Sequence, residues 1–188
     1  MRLLFGGVAA LALCACGQSN NAASTEACAR SVTQSVEWTN PGAPDTITAR
    51  ADGPSCAQAA VTFVIRNANG DPLWAFASTY FDMTAGGVPP EGAPPVSIEE
   101  MDRFLSGWAT VELQQSGAFL PEWREGAATL TESATTFAYD TPFERDAYEM
   151  LRARDLRTLC YAAAVEAVQC LVVDPLSNAP TMIVAYGP

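Results

Sequence analysis

Six cysteines carry the most reactive side chains in this sequence, at positions 14, 16, 28, 56, 160 and 170. What they could do is narrowed by what is missing. The 188 residues include no His and no Lys, so all ten positive side chains are Arg. A Ser-His-Asp or Cys-His nucleophile needs an imidazole base, and Ser-Lys or Schiff-base chemistry needs an amine. Zinc sites draw on His or free thiolates. Catalysis from this chain is left with carboxylates, Tyr, Arg or a hard, oxygen-bound cation.

Four other constellations invite a chemical reading, and each has a plainer one. Asn67, Asn69 and Asp71 occupy the first, third and fifth places of a calcium-loop spacing. That loop needs Gly sixth and Glu twelfth, where this chain has Pro72 and Ser78, so the stretch reads as a hairpin turn and no metal site is expected. Glu99 and Glu100 are neighbours on a predicted helix and point about 100° apart, so they suit a helix N-terminus better than a catalytic dyad. Arg152, Arg154 and Arg157 gather at the end of another predicted helix, where they complement its dipole or, alternatively, hold an anion. Trp38, Trp74, Trp108 and Trp123 could stack on sugars, but their positions suit a core.

The first sixteen residues, MRLLFGGVAALALCAC, combine a positive Arg2 with an apolar stretch, Leu3 to Leu13, too short for a comfortable membrane span. Leu13-Cys14-Ala15-Cys16 resembles the bacterial lipobox, with an aliphatic residue three places before Cys16 and a small one just before it. The resemblance covers only this N-terminal stretch. It implies a signal peptide over 1–15, cleavage before Cys16, a diacylglyceryl group on the Cys16 sulfur and acylation of the new amine. An ordinary cleaved signal peptide is the alternative. Gly17 follows, where some Gram-negative lipoproteins use Asp for inner-membrane retention. The expected location is therefore the outer membrane, facing the periplasm. Residues 16–27 then form the lipidated Cys and a small, polar tether, GQSNNAASTEA after Cys16. The rest of the chain is similar to uncharacterised Gram-negative envelope lipoproteins, with no motif of known chemistry.

An oxidising compartment makes two disulfides the default for the remaining Cys28, Cys56, Cys160 and Cys170. Three pairings are possible. Cys28–Cys56 and Cys160–Cys170 are expected because each joins sequence neighbours. A redox or metal site is the alternative, but it lacks both a CxxC motif and His.

The elements that must position these residues are marked by period and punctuation. Val61, Phe63 and Ile65 alternate with Thr62, Val64 and Arg66, a strand signature. Asn67 to Asp71 turns the chain, and Leu73 to Phe81 continues as an apolar run expected in the middle of a sheet. Thr84 to Val96 is a Pro- and Gly-rich connector, and any functional site is expected near it rather than on the hairpin. Ser97-Ile98-Glu99-Glu100 is a capping box opening a helix to about Leu113, with Ser116-Gly117 as its stop. Thr141-Pro142-Phe143-Glu144 is a second capping box, and Phe143, Ala147, Met150 and Leu151 form that helix's expected apolar stripe. A strand is expected at Thr135 to Tyr139. Thr158 to Pro188 reads as a meander of three strands, though the alanines at 162–164 would also suit a helix.

The expected fold is α+β, a mainly antiparallel sheet of five or six strands with two helices on one face, forming a single globular domain over 28–188. A formal charge of −11 excludes nucleic acid as a partner. No cofactor is expected, and no catalytic residue is assigned. The expected partners are the membrane, through the lipid, and an envelope protein. The sequence points to a lipid-anchored periplasmic binding or structural module without catalysis; the alternative is a carboxylate-based enzyme acting on envelope glycans.

Overall fold

In the computed structural model the chain is described over residues 27–85, 95–133 and 137–188. The expected signal peptide, Cys16 and all but the last residue of the expected tether lie outside these, as do 86–94 of the Pro-rich connector and Thr135–Thr136. The α+β class and antiparallel pairing are as expected. The described strands divide between two sheets, one of four strands and one of five.

The first sheet is a meander of β1 (Cys28–Val36), β2 (Asp45–Gly53), β3 (Ala60–Arg66) and β4 (Pro72–Thr79), paired in that order. Alternation puts Ile47, Ala49 and Ala51 of β2 beside Val61, Phe63 and Ile65 of β3, and all six are fully buried. The opposite face carries Ser31, Thr33, Thr48, Arg50 and Thr62, which are exposed or half-buried. One face of the sheet is therefore dry and the other wet, the ordinary arrangement for an antiparallel sheet.

The hairpin between β3 and β4 closes on Asn67. Its Oδ1 accepts the backbone N–H of Asn69 and of Asp71, each at 2.9 Å. Its amide donates to Asp71 at 3.1 Å, and Gly70 takes a positive φ of 88°. The side chains that mimic a calcium loop are thus engaged in making the turn. β4 is an edge strand rather than a central one. Its run is apolar on both faces because Ala75 and Ala77 are small enough to remain exposed, while Trp74 and Phe76 pack against the core. The strand also ends earlier than expected, at Thr79, whose hydroxyl accepts the Asp82 N–H and caps a short helix, α1 (Tyr80–Thr84).

The Ser97 capping box forms as read: the Ser97 hydroxyl accepts the Glu100 N–H, and the Glu100 carboxylate accepts the Ser97 N–H. The helix it opens, α2 (Ile98–Ala109), buries Met101, Leu105 and Trp108 and stops four residues before Leu113. Leu113–Gln115 is instead a short strand, β5, and Ser116–Phe119 forms one helical turn, α3. Ser116 does not simply stop a helix. It is buried, donating to the Arg152 carbonyl at 3.0 Å and accepting the Leu156 N–H at 2.8 Å. Asp102 of α2 receives two bonds from Arg30 of β1, at 2.7 and 2.6 Å, and these hold its carboxyl below the usual range.

The second sheet has the order β5, β7 (Arg157–Ala164), β8 (Ala167–Asp174), β9 (Ala179–Gly187), β6 (Ala138–Asp140). The alanines of β7 are in a strand, because pairing along β8 outweighs their helical preference. Beside this sheet lie α4 (Leu130–Ser133) and α5 (Arg145–Ala153). The α5 helix begins later than the Thr141 capping box predicts, with Glu144 at its N-cap and no side-chain bond there. The Thr141 hydroxyl is committed elsewhere, donating to the Ile183 carbonyl of β9 at 2.7 Å. The buried face of α5 is correspondingly Tyr148 and Leu151, and Met150 is left 41% exposed.

The second sheet serves two cores. Leu159, Tyr161 and Leu171 on one face join the first sheet and α2. Cys170, Val172, Ile183 and Val184 pack with Leu120, Leu130, Tyr148 and Leu151 in the other core. The junction between the sheets is aromatic. Phe63 stacks on Tyr161 at 4.9 Å and 12°, with Trp108 tilted against Phe63 at 5.4 Å.

Burial of Tyr148 pushes its phenol well up, against the opposing pull of Arg152. A folded pKa raised in this way contributes stability that is full below the unfolded value, about 10, and is lost as pH climbs above it. The urea midpoint should accordingly hold up to about pH 10 and fall progressively above it. In Tyr148→Phe that fall should be shallower by one proton's worth, with the slope due to Tyr80, Tyr161 and Tyr186, also raised by burial, remaining. Equal slopes in parent and variant would remove Tyr148 from the account.

Candidate functional site

The residues singled out in sequence mostly prove to be structural once placed. Cys28 is joined to Cys56 and Cys160 to Cys170. The second cystine bridges directly opposed residues of β7 and β8. Arg152 donates to the carbonyls of Leu120 and Gly117 and pairs with Glu122 and Glu149. Arg157 donates to the Glu37 carbonyl at 2.6 Å, and the charge of Arg154 acts on Asp174. The three Arg residues therefore serve three different places and do not converge on one anion.

The tryptophans are likewise engaged internally. Their indole N–H groups donate to the Arg157 carbonyl (Trp38), the Tyr161 hydroxyl (Trp74), the Ala162 carbonyl (Trp108) and the Ala127 carbonyl (Trp123), at 2.9 to 3.0 Å. Trp38 and Trp108 are buried.

The carboxylates show the same pattern. Asp45, fully buried, accepts the N–H and hydroxyl of Thr39. Asp52 pairs with Arg50, Glu149 accepts the Trp123 N–H at 2.7 Å, and Asp174 caps Leu176 and Ser177. Backbone and hydroxyl donors hold the Asp174 carboxyl below its usual range. Among the described residues no three of His, Cys, Asp and Glu group in a way that could hold a metal.

What sequence reasoning missed is a groove at the hairpin end of the second sheet. Register places Ala162 of β7 opposite Val168 of β8, Val168 opposite Tyr186 of β9, and Tyr186 opposite Tyr139 of β6. These four therefore form one row across the sheet. The row lies next to that of Cys160, Cys170 and Val184, so the Cys160–Cys170 bridge fixes the strand pair under the floor. The hollow above measures about 480 Å³, lined by Phe137, Ala162, Val168, Tyr186 and Pro188, with Glu166 at the β7–β8 turn.

Tyr186 is the centre of its aromatic wall. The rings of Tyr139, Phe137 and Phe119 stand 5.3, 5.5 and 6.4 Å from it. Phe119 and Phe137 remain 39% and 47% exposed, which is unusual for rings that have a core available nearby. Burial raises the Tyr186 phenol, with a smaller contribution from Tyr139. Glu166 sits at φ 58°, a left-handed conformation that Gly or Asn would adopt at less cost. Beside it, the Val165 N–H donates to the Asp82 carbonyl at 3.2 Å, docking α1 at this hairpin just before the chain enters the Pro-rich connector.

No family model, curated protein or solved structure matches this chain.

Proposed function

We propose that the chain is a lipid-anchored periplasmic module that binds or scaffolds and carries out no catalysis of its own. It would be held at Cys16 in the outer membrane, with the domain standing off on the 16–27 tether. One observation carries the non-catalytic part: the carboxylates just described are engaged one by one in caps, turns and ion pairs, while the exposed hollow is apolar and aromatic. With His and Lys absent, that leaves a surface suited to holding a ligand rather than transforming one. Two disulfides support an oxidising compartment. Among the described residues no helix is long and apolar enough to cross a membrane. Each lipid CH₂ buried contributes about 0.8 kcal/mol, so two or three acyl chains anchor the domain stably.

The test is the mass and location of the processed chain in bacterial envelopes. A mature N-terminus at Cys16 carrying diacylglyceryl and acyl groups is expected, with recovery in the outer-membrane fraction. Cys16→Ser should abolish both the added mass and the membrane recovery. Crosslinking in intact envelopes should capture a specific partner that the Cys16→Ser chain loses. An unmodified N-terminus at another residue, or no enrichment over an unrelated lipidated control, would overturn the proposal.

A further inference from the structure

The lining of the groove specifies a ligand class, an inference that rests on the binding-module reading and deepens it. The rings of Phe137 and Tyr186 line the hollow, and those of Phe119 and Tyr139 pack on Tyr186 behind them. Ring faces carry negative potential and attract cations, most strongly where water is partly excluded. Among the described residues the charged side chain lining the hollow is Glu166, and no Arg lines it. Arg is the only basic residue type in the chain, so among the described lining residues no cationic side chain offers an anion a partner. An anionic ligand would meet both the carboxylate and the aromatic rings. A neutral apolar ligand would meet the rings but gain nothing from Glu166. The turn meanwhile keeps Glu166 at the rim in a backbone conformation that Gly or Asn would take more cheaply.

We infer that the groove binds a small organic cation whose nitrogen bears apolar groups, an alkyl- or arylalkyl-ammonium ion. Its body rests on Ala162 and Val168, and its charge lies between the aromatic wall and Glu166. A volume of about 480 Å³ falls in the range of small-molecule sites.

The experiment is calorimetric titration of the full chain with three ligands that share one ring: benzyltrimethylammonium, benzyl alcohol and benzoate. The expected order of affinity is cation, then alcohol, then anion, with the cation at least several-fold tighter than the alcohol. Glu166→Gln should weaken the cation by about threefold and leave the alcohol unchanged. Phe137→Leu, which keeps apolar bulk and removes the ring, should weaken the cation by a similar factor. Both positions are exposed, and unchanged unfolding midpoints would certify that the variants fold. Equal affinity for cation and alcohol, no saturable binding of the cation, or a Glu166→Gln chain that binds it as the parent does would each overturn the inference. Such a failure alongside an intact lipid at Cys16 and a captured envelope partner rejects the ligand class alone. Loss of the anchor and the partner rejects the broader reading.

Discussion

An unfolding free energy lower by about 4 kcal/mol is the expected result of Phe63→Ala. Phe63 is fully buried on β3, between Ala49 and Phe76 in register. It also touches the partners that join one sheet to the other, stacked on Tyr161 and tilted against Trp108. Truncation removes the transfer free energy of the ring and leaves a cavity whose walls are two sheets and a helix, elements that cannot easily collapse inward. For a domain of this size each kcal/mol moves the thermal midpoint by about 2–4 °C, so a drop of roughly 10 °C is expected. Urea unfolding followed by tryptophan emission measures the effect directly. A loss below about 1 kcal/mol would mean that the sheets are joined by something other than this aromatic junction.

The second large effect is expected from Cys28→Ser combined with Cys56→Ser. This cystine closes a loop of sequence separation 28 and ties the start of β1 to the 3₁₀ turn, Cys56–Gln58, that precedes β3. Loop-closure entropy alone puts its contribution at about 3.5 kcal/mol. Both sulfurs are buried, so serine hydroxyls in their place add a desolvation cost. The Cys160–Cys170 bridge spans a separation of only 10 within strands that already pair. Its double-serine variant should lose less, about 3 kcal/mol or under. Denaturant titration of both variants tests this ranking, which an equal or reversed order would contradict.

What could be read from sequence was local. The Asn67 turn and the Ser97 capping box each rest on bonds spanning four residues or fewer, and residue type alone selects them. Trp38 and Trp108 could be placed in the core because large apolar groups leave water wherever the fold permits. The misreadings arose where a distant partner competed. The Thr141 hydroxyl serves β9 at a separation of 42 residues instead of capping its own helix. The β4 strand has the composition of a central strand, and its edge position depends on where the chain goes next. Five or six strands became nine among the described residues: β6 overlaps the strand expected at Thr135 to Tyr139, whereas β5, at three residues, is too short for any period to register, and β1 and β2 carry few large apolar residues. The groove was illegible for the same reason. Phe137 and Tyr139 meet Tyr186 because β6 returns to pair with β9, and Phe119 reaches the same ring from α3.

The pairing of the cysteines has a consequence for how such a domain is made. Cys28 and Cys56 are successive cysteines in the sequence, and so are Cys160 and Cys170. In the proposed periplasmic setting the chain arrives N-terminus first. With Cys14 cleaved away and the Cys16 sulfur taken by lipid, as proposed, an oxidase that joins each new thiol to the one before it would build the Cys28–Cys56 link while the next cysteine is still more than a hundred residues away. It would then build the second link within a single hairpin. Native connectivity would in that setting follow from the order of arrival, so maturation there would require an oxidant but not a shuffling enzyme.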